Sequence, residues 1–204
     1  MDHSIRLNHE PSRAGRVLRE IVILLVIAAA ACGIAFAAVH FAAAKVRMPG
    51  KSMEATLSDG DLLLVNTALY RFRAPQRGDI VAFQMPDSGA YSVKRIVGLP
   101  GDRVRIADGI LLINDEPYQE PAKVDPMKVA GTAAEEILLG EDEYFVLGDN
   151  RGASEDSRFA SVGLLSRAQL TGKVWLRLSP SFGIADRLNE AAPAQEETKE
   201  SNGS

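Results

Sequence analysis

The sequence predicts a mainly β protein, in which an antiparallel β-sheet domain, folded over or barrel-like, follows one N-terminal transmembrane helix. Two observations lead to this fold class. Residues 21–44 form a long apolar segment without a charged residue. The chain after it carries short runs rich in Val, Ile, Leu and aromatic residues, separated by Gly, Pro, Asp and Asn. Because these runs do not alternate with helical patterns, nothing favours a parallel sheet.

The apolar segment predicts a membrane anchor. At about 1.5 Å per residue it is long enough to cross a hydrocarbon core of roughly 30 Å. A cleaved signal peptide has an apolar core of only about 7–15 residues, so we interpret the segment as uncleaved, although small-residue triplets such as residues 35–37 resemble a cleavage site. Arginines are concentrated before the segment, while Lys45 and Arg47 follow it. This bias favours a cytoplasmic tail, residues 1–20, and a main domain outside the cell membrane.

The organisation beyond the anchor is predicted to be mostly strand, in a domain that covers residues 45–182. Asp108 and Gly109 form a hairpin-turn signal between two of the predicted strands. Residues 119–136 are turn-rich and indicate an insertion or flap, and residues 183–204 are polar and acidic, which is typical of a disordered tail. The predicted strands are residues 62–65, 80–83, 92–97, 104–106, 110–113, 144–147 and 173–178.

Composition excludes several classes of chemistry. The three histidines, His3, His9 and His40, and the single cysteine, Cys32, all lie before or inside the apolar segment. The main domain therefore lacks residues for a Ser-His-Asp triad, a Cys-His pair or a zinc site, and we expect no metal and no cofactor. With a net charge of −4 and no basic cluster, we also expect no nucleic-acid partner. A nucleophilic enzyme would need Ser or Thr with Lys or a carboxylate as base.

Lys94 is a candidate for that base. A lysine can accept a proton from a serine hydroxyl only when it is neutral, and burial lowers the pKa of a lysine. Lys94 lies in a predicted strand with apolar neighbours, on the same face as Ser92 and Ile96. Alternation places Arg95 on the opposite face, where we expect it to stay solvated.

Four blocks in order carry a resemblance to type I signal peptidases, the membrane-anchored Ser/Lys endopeptidases that remove signal peptides from exported proteins. The similarity spans about residues 48–180. The blocks are KSMEATL with DGD at 51–61, RGDIV at 77–81, KR with GLPGD at 94–102, and GDNRGASEDSR at 148–158.

The resemblance assigns roles to residues of these blocks. It implies that Ser52 is the nucleophile and Lys94 the general base of a reaction through an acyl-enzyme. Ser154 would hydrogen-bond and orient the lysine, Asp156 and Arg158 would form a supporting ion pair, and Asp149 would be a further structural carboxylate.

The resemblance also implies a substrate. Secretory preproteins would be cut after an Ala-X-Ala pattern, because small residues at positions −1 and −3 enter shallow apolar pockets when the peptide lies extended beside a strand. We expect Met53, Leu57 and Val93, which neighbour the proposed nucleophile and base, to form walls of these pockets. Membrane lipid is the second expected partner.

The chain departs from the family pattern at two positions near Ser52. Ala55 stands where the family usually has proline, which removes a rigid φ angle. Gly50 stands where some members carry a serine whose hydroxyl helps to hold the oxyanion, so the backbone N–H of Ser52 would supply most of that stabilisation.

Two other functions remain alternatives. One is a degenerate membrane-tethered β-domain that binds exported chains without cutting them. The other is a Ser/Lys autoprotease of the SOS-repressor type, which would carry a DNA-binding domain in place of the membrane segment. The eukaryotic-type signal peptidase subunit has histidine where Lys94 stands and is disfavoured. The joint presence of Ser52, Lys94 and Ser154 favours the peptidase.

Overall fold

The structure is a computed structural model that describes residues 13–54, 56–85, 87–120 and 124–185. The features predicted at His3, His9 and Ala55, and in the tail after residue 185, lie outside the described residues.

The N-terminal unit is one long helix, α1 (Arg13–Ala42). Within it, Gly15–Ile34 has a mean hydropathy of 2.4 and is long and apolar enough to cross a membrane. The helix starts earlier than the predicted anchor, because the residues before position 21 include Val17 and Leu18 and no helix breaker between Gly15 and Ile21. It also ends earlier, since the last two residues of the predicted anchor, Ala43 and Ala44, belong to a strand.

The second unit begins at Ala43 and is built on antiparallel strands. Its larger sheet has seven strands in the order β1-β2-β10-β3-β4-β9, with β11 paired to β10. Their bounds are β1 (Ala43–Arg47), β2 (Leu62–Asn66), β3 (Ile80–Gln84), β4 (Tyr91–Gly98), β9 (Phe145–Leu147), β10 (Leu170–Ser179) and β11 (Gly183–Ile184). A short helix, α2 (Leu69–Phe72), follows β2.

A smaller sheet has four strands in the order β7-β6-β5-β8. The turn between β5 and β6 is the one predicted at Asp108 and Gly109, both of which have positive φ. The bounds are β5 (Arg103–Ala107), β6 (Ile110–Ile113), β7 (Glu116–Pro117) and β8 (Ile137–Leu138), and short 3₁₀ helices cover Gly131–Ala134, Arg151–Ala153 and Arg167–Gln169.

The prediction of an antiparallel β domain behind one N-terminal helix is therefore confirmed. All seven predicted strands exist, with bounds that differ by a few residues, since the strand predicted at 144–147 begins at Phe145 and the strand predicted at 173–178 extends over Leu170–Ser179. The strands that the sequence did not reveal are the alanine-rich β1 and the two-residue strands β7, β8 and β11.

The start of the predicted disordered tail needs correction. Gly183 and Ile184 form β11, which pairs with Arg177 and Leu176 of β10, and Ala185 is buried in a core. Backbone pairing to a long neighbouring strand orders these residues despite the polar composition that follows them.

Three clusters of buried side chains fill the β unit. One lies between β1, β2, β3 and β4, and includes Val46, Met48, Leu63 and Val174. A second covers the smaller sheet, and the third surrounds Phe83 and Val146. The segment predicted as an insertion or flap contributes Met127 and Ala133 to the second cluster, so this part of it packs into the domain.

Candidate active site

Ser52 lies in a turn between β1 and β2. The turn is closed by backbone hydrogen bonds from Glu54 N to Lys51 O at 3.1 Å and from Leu57 N to Met53 O at 2.8 Å. Gly50 has a φ of +68°, in the left-handed region that favours glycine. Ser52 itself is only 7% exposed, so the turn holds its hydroxyl in a defined position.

Lys94 lies in the middle of β4, where its register partner is Val81 of β3. The residue is 4% exposed, and its Nζ donates a hydrogen bond to Ser52 Oγ at 2.8 Å. A serine hydroxyl and a lysine amine at this distance can exchange a proton directly.

The surroundings of Lys94 change its pKa. Burial lowers the pKa from the ordinary 10.5 to about 8, while the negative charges of Asp156 and Glu155 act in the opposite direction. The pKa falls because burial removes favourable hydration from the ammonium, whereas the neutral amine loses much less hydration free energy. At pH values above about 8, Lys94 is therefore mostly a neutral amine that can accept a proton.

The loop after β9 holds Ser52 from the other side. Asn150 N donates to Ser52 O at 3.0 Å. Gly148 approaches so closely that an added Cβ would lie 2.2 Å from Ser154 Oγ and 2.4 Å from Ser52 O. Only glycine fits here, and the loop is fixed to the turn that carries Ser52.

Ser154 lies in this loop, but it does not make the predicted bond to the lysine. Its Oγ is buried and has no hydrogen-bond partner in the structure. Lys94 Nζ bonds Ser52 Oγ instead, and Ser154 Oγ lies close to Gly148. A buried hydroxyl without a partner costs about 1–3 kcal/mol, so Ser154 is a site of unused hydrogen-bonding capacity beside Ser52.

Asp156 and Arg158 form the predicted ion pair. Arg158 Nε donates to Asp156 Oδ1 at 2.8 Å and Nη2 donates to Oδ2 at 3.0 Å. Gly148 N adds a bond to Asp156 Oδ2 at 3.1 Å. Both side chains are buried. The bidentate ion pair therefore balances the charge of a carboxylate close to Lys94, and the bond from Gly148 N links that carboxylate to the loop backbone.

Asp149 pairs with Arg95, for which the prediction of a solvated side chain is wrong. Arg95 Nε and Nη2 donate to the two oxygens of Asp149 at 2.8 and 2.6 Å, and Thr56 Oγ1 donates to Oδ2 at 2.5 Å. Arg95 does lie on the face of β4 opposite Lys94, but it is buried and not solvated. Alternation fixes the face of a strand residue and does not show that a loop covers that face.

Met53, Leu57 and Val93 are core residues and not walls of an open pocket. All three are fully buried in the cluster that includes Val46 and Met48. Side chains without exposed surface offer no contact area to a peptide, so the prediction that they contact substrate is not supported by this structure.

A second buried pair escaped the sequence analysis. Arg151 Nη2 lies 2.7 Å from Glu120 Oε1, with side-chain exposures of 2% and 18%. Burial raises the pKa of Glu120, and Arg151 lowers it. Arg151 belongs to the last of the four blocks, whereas Glu120 lies in the turn-rich segment, where no pattern distinguished it from its neighbours.

Residues 13–54, 56–85, 87–120 and 124–185 contain no group of three or more His, Cys, Asp or Glu side chains that could hold an ion. The site includes Ser52, Lys94 and three buried arginines, each paired with a carboxylate.

Comparison with known proteins identifies similar chains. The family model described as signal peptidase, peptidase S26, matches residues 18–179. A signal peptidase I of Bacillus caldolyticus is 39% identical over 142 residues, which cover 64% of this chain and 76% of that protein. Signal peptidase IB of Staphylococcus aureus strain COL is 32% identical over 186 residues, 84% of this chain and 96% of that protein.

Two further matches cover less than two thirds of at least one of the two chains compared. A probable signal peptidase I-2 of Synechocystis is 36% identical over 143 residues, which cover 65% of this chain and 62% of that protein. The crystal structure of a signal peptidase I from Enterococcus faecalis V583 is 34% identical, with a TM-score of 0.43, and the match covers 50% of this chain and 97% of that one.

The close packing at Gly148 predicts a strong effect of the smallest possible substitution. In Gly148→Ala the new methyl group must displace Ser52 O or Ser154, so we expect a loss of about 2–3 kcal/mol in the free energy of unfolding and a displaced Ser52. Urea unfolding and the rate of modification of Ser52 by a serine-directed acylating reagent measure the two effects.

Gly152→Ala is the matched control, because the atom nearest to its added Cβ lies 3.9 Å away. This variant should unfold and react like the wild type. Wild-type behaviour of Gly148→Ala would contradict the packing described here.

Proposed function

The chain belongs to the signal peptidase family, peptidase S26, and on that premise we propose that Ser52 and Lys94 are the catalytic pair of this serine endopeptidase. The reaction of the family is the removal of signal peptides from exported proteins. The observation that carries the assignment is the 2.8 Å contact between Lys94 Nζ and Ser52 Oγ in a buried site.

The first step is acylation. Neutral Lys94 accepts the hydroxyl proton of Ser52 as Oγ attacks the scissile carbonyl carbon, which forms a tetrahedral intermediate and an ammonium at Nζ. The ammonium then gives its proton to the leaving amine, the C–N bond breaks, and the signal peptide remains as an ester on Ser52. Lys94, neutral again, activates a water that hydrolyses the ester.

The oxyanion of the intermediate needs hydrogen-bond donors. We assign the first to the backbone N–H of Ser52, which lies in a turn fixed by Asn150 through Ser52 O. Gly50 has no side chain to serve as the second. The hydroxyl of Ser154, which bonds none of the described residues, would be able to bond Lys94 or the reacting groups during the reaction.

The Asp156–Arg158 ion pair limits the rise that Asp156 would cause in the pKa of Lys94. An unpaired carboxylate next to Lys94 would hold the ammonium and raise its pKa. Because Arg158 binds both oxygens of Asp156, that attraction is partly balanced, and burial remains the larger effect on Lys94.

The substrates and their location follow from the family and the N-terminal helix. We propose that the chain cuts secretory preproteins after an Ala-X-Ala pattern, at the surface of a membrane that Gly15–Ile34 crosses once. The arginines before this segment favour a cytoplasmic N-terminus and an extracytoplasmic β unit. The tether would raise the effective concentration of the site near membrane-bound precursors.

The alternative of a degenerate binding domain predicts that the wild type does not cleave precursors. A cleavage assay of the wild type therefore decides between the two functions, and mutation of the pair tests which residues carry the activity. We expect Ser52→Ala and Lys94→Met to fold and to lose about 10²–10⁴-fold or more in the rate of precursor cleavage. The double variant should be little worse than either single one, because the two residues act as a unit. Mass spectrometry of the cleaved precursor gives both the cut site and the rate.

Lys128→Met, which removes an exposed lysine, is the control and should cleave normally. If folded Lys94→Met cleaved at the wild-type rate, a lysine base at this position would be ruled out.

The pH dependence of cleavage should report Lys94. Below a pKa of about 8 the residue is an ammonium and cannot accept a proton, so kcat/KM should rise with pH through about 8 and then level off. Glu155→Gln removes a charge that raises this pKa, so the midpoint should move to lower pH. The measurement is kcat/KM from pH 5 to 10, with Glu141→Gln as the control for removal of an exposed carboxylate.

A profile that stays flat from pH 5 to 9, under conditions in which chemistry limits the rate, would be incompatible with Lys94 as the base.

A further inference from the structure

We propose that Glu120 is a positioning residue of the active site, which holds Arg151 and through it the loop that fixes Ser52. The inference rests on the proposed roles of Ser52 and Lys94. Glu120 lies outside the four sequence blocks that resemble the family, in the segment predicted as an insertion or flap.

A continuous chain of contacts connects Glu120 to the nucleophile. Glu120 Oε1 lies 2.7 Å from Arg151 Nη2, and Arg151 Nε donates to Gly148 O at 3.0 Å. Gly148 packs against Ser154 Oγ and Ser52 O with no room for a methyl group. The next residue but one, Asn150, donates its N–H to Ser52 O at 3.0 Å. A shift of Arg151 is therefore transmitted to Ser52 through backbone atoms.

Charge balance makes Glu120 the residue on which Arg151 depends. Arg151 cannot release its proton to relieve burial, and its side chain is 2% exposed. The neighbouring carboxylate, Asp149, already accepts two bonds from Arg95 and one from Thr56. Within the described chain, Glu120 is the carboxylate that pairs with Arg151, and a buried cation that loses its partner is strongly disfavoured.

The second oxygen of Glu120 indicates what the residue does. Oε2 is buried and makes no hydrogen bond in the structure. A buried oxygen without a partner costs free energy. The feature that a glutamate adds at this position is its negative charge, which matches the buried guanidinium.

Residues on both sides of Glu120 along the chain are hydrogen-bonded to the rest of the domain. Tyr118 N donates to Leu111 O at 2.9 Å, and Arg158 Nη1 donates to Val129 O at 3.1 Å. Thr132 N and Oγ1 donate to the carbonyls of Arg158 and Ser157 at 2.9 and 3.1 Å. These contacts give Glu120 a fixed base from which to hold Arg151.

The test compares Glu120→Ala and Glu120→Gln in the full-length protein in detergent, with precursor cleavage as the assay. A misplaced nucleophile affects the chemical step, so we expect Glu120→Ala to lower kcat about tenfold or more, with KM changed less than about twofold. Glu120→Gln keeps the acceptor but lacks the charge, and its kcat should lie between those of Glu120→Ala and the wild type. Glu135→Ala, which removes an exposed glutamate of the same segment, is the matched control and should cleave normally.

Chemical rescue distinguishes positioning from general loss of stability. The cavity left by Glu120→Ala opposite a buried guanidinium suits a small carboxylate, so added acetate should restore much of kcat, while acetamide at the same concentration and matched ionic strength should not. If Glu120→Ala does not fold, Glu120→Gln decides the question, with a several-fold lower kcat expected at a temperature where this variant is fully folded.

A kcat within twofold of the wild type in folded Glu120→Ala, or in Glu120→Gln where the alanine variant does not fold, would overturn the inference. Equal responses to acetate and acetamide would overturn it as well. Failure of the proposed function would look different, since either the wild type would not cleave the precursor or Ser52→Ala would still cleave it.

Discussion

The contact between a buried lysine amine and a serine hydroxyl is the interaction on which the rest of this site depends. Lys94 is useful as a base only while it is neutral, and β4 achieves this by placing it in the interior, where burial lowers its pKa to about 8. Asp156 opposes that effect, and Arg158 binds both of its oxygens. The site therefore keeps a carboxylate close to the base while limiting its attraction for the ammonium.

Three buried arginines give the catalytic loop its rigidity. Arg158 pairs with Asp156, Arg95 with Asp149, and Arg151 with Glu120. Each arginine is held by hydrogen bonds to its carboxylate partner, so each pair restrains the two backbone segments that carry it. Because the loop also bonds Ser52 O, the position of Ser52 depends on ion pairs that do not contact it.

The sequence predicted most of the strands and several residues of the site, but it failed where the environment of a residue depends on contacts between distant parts of the chain. Alternation in β4 placed Lys94 on an apolar face, but only the resemblance paired it with Ser52, since spacing alone cannot bring distant residues together. The same alternation predicted a solvated Arg95, because it carries no information about the loop that covers the other face. Strand β1 escaped because its alanines continue the composition of the helix before it, and Glu120 because its partner lies in a distant loop.

Direct titration of Lys94 Nζ tests the account most directly. Lysines labelled with ¹⁵N in the side chain can be followed by NMR, and the Lys94 signal is identified by its loss in Lys94→Met. The account predicts that this amine titrates near pH 8 in the folded protein. A Lys94 signal that titrates near the ordinary value of about 10.4 would contradict the claim that the fold supplies a neutral amine to Ser52.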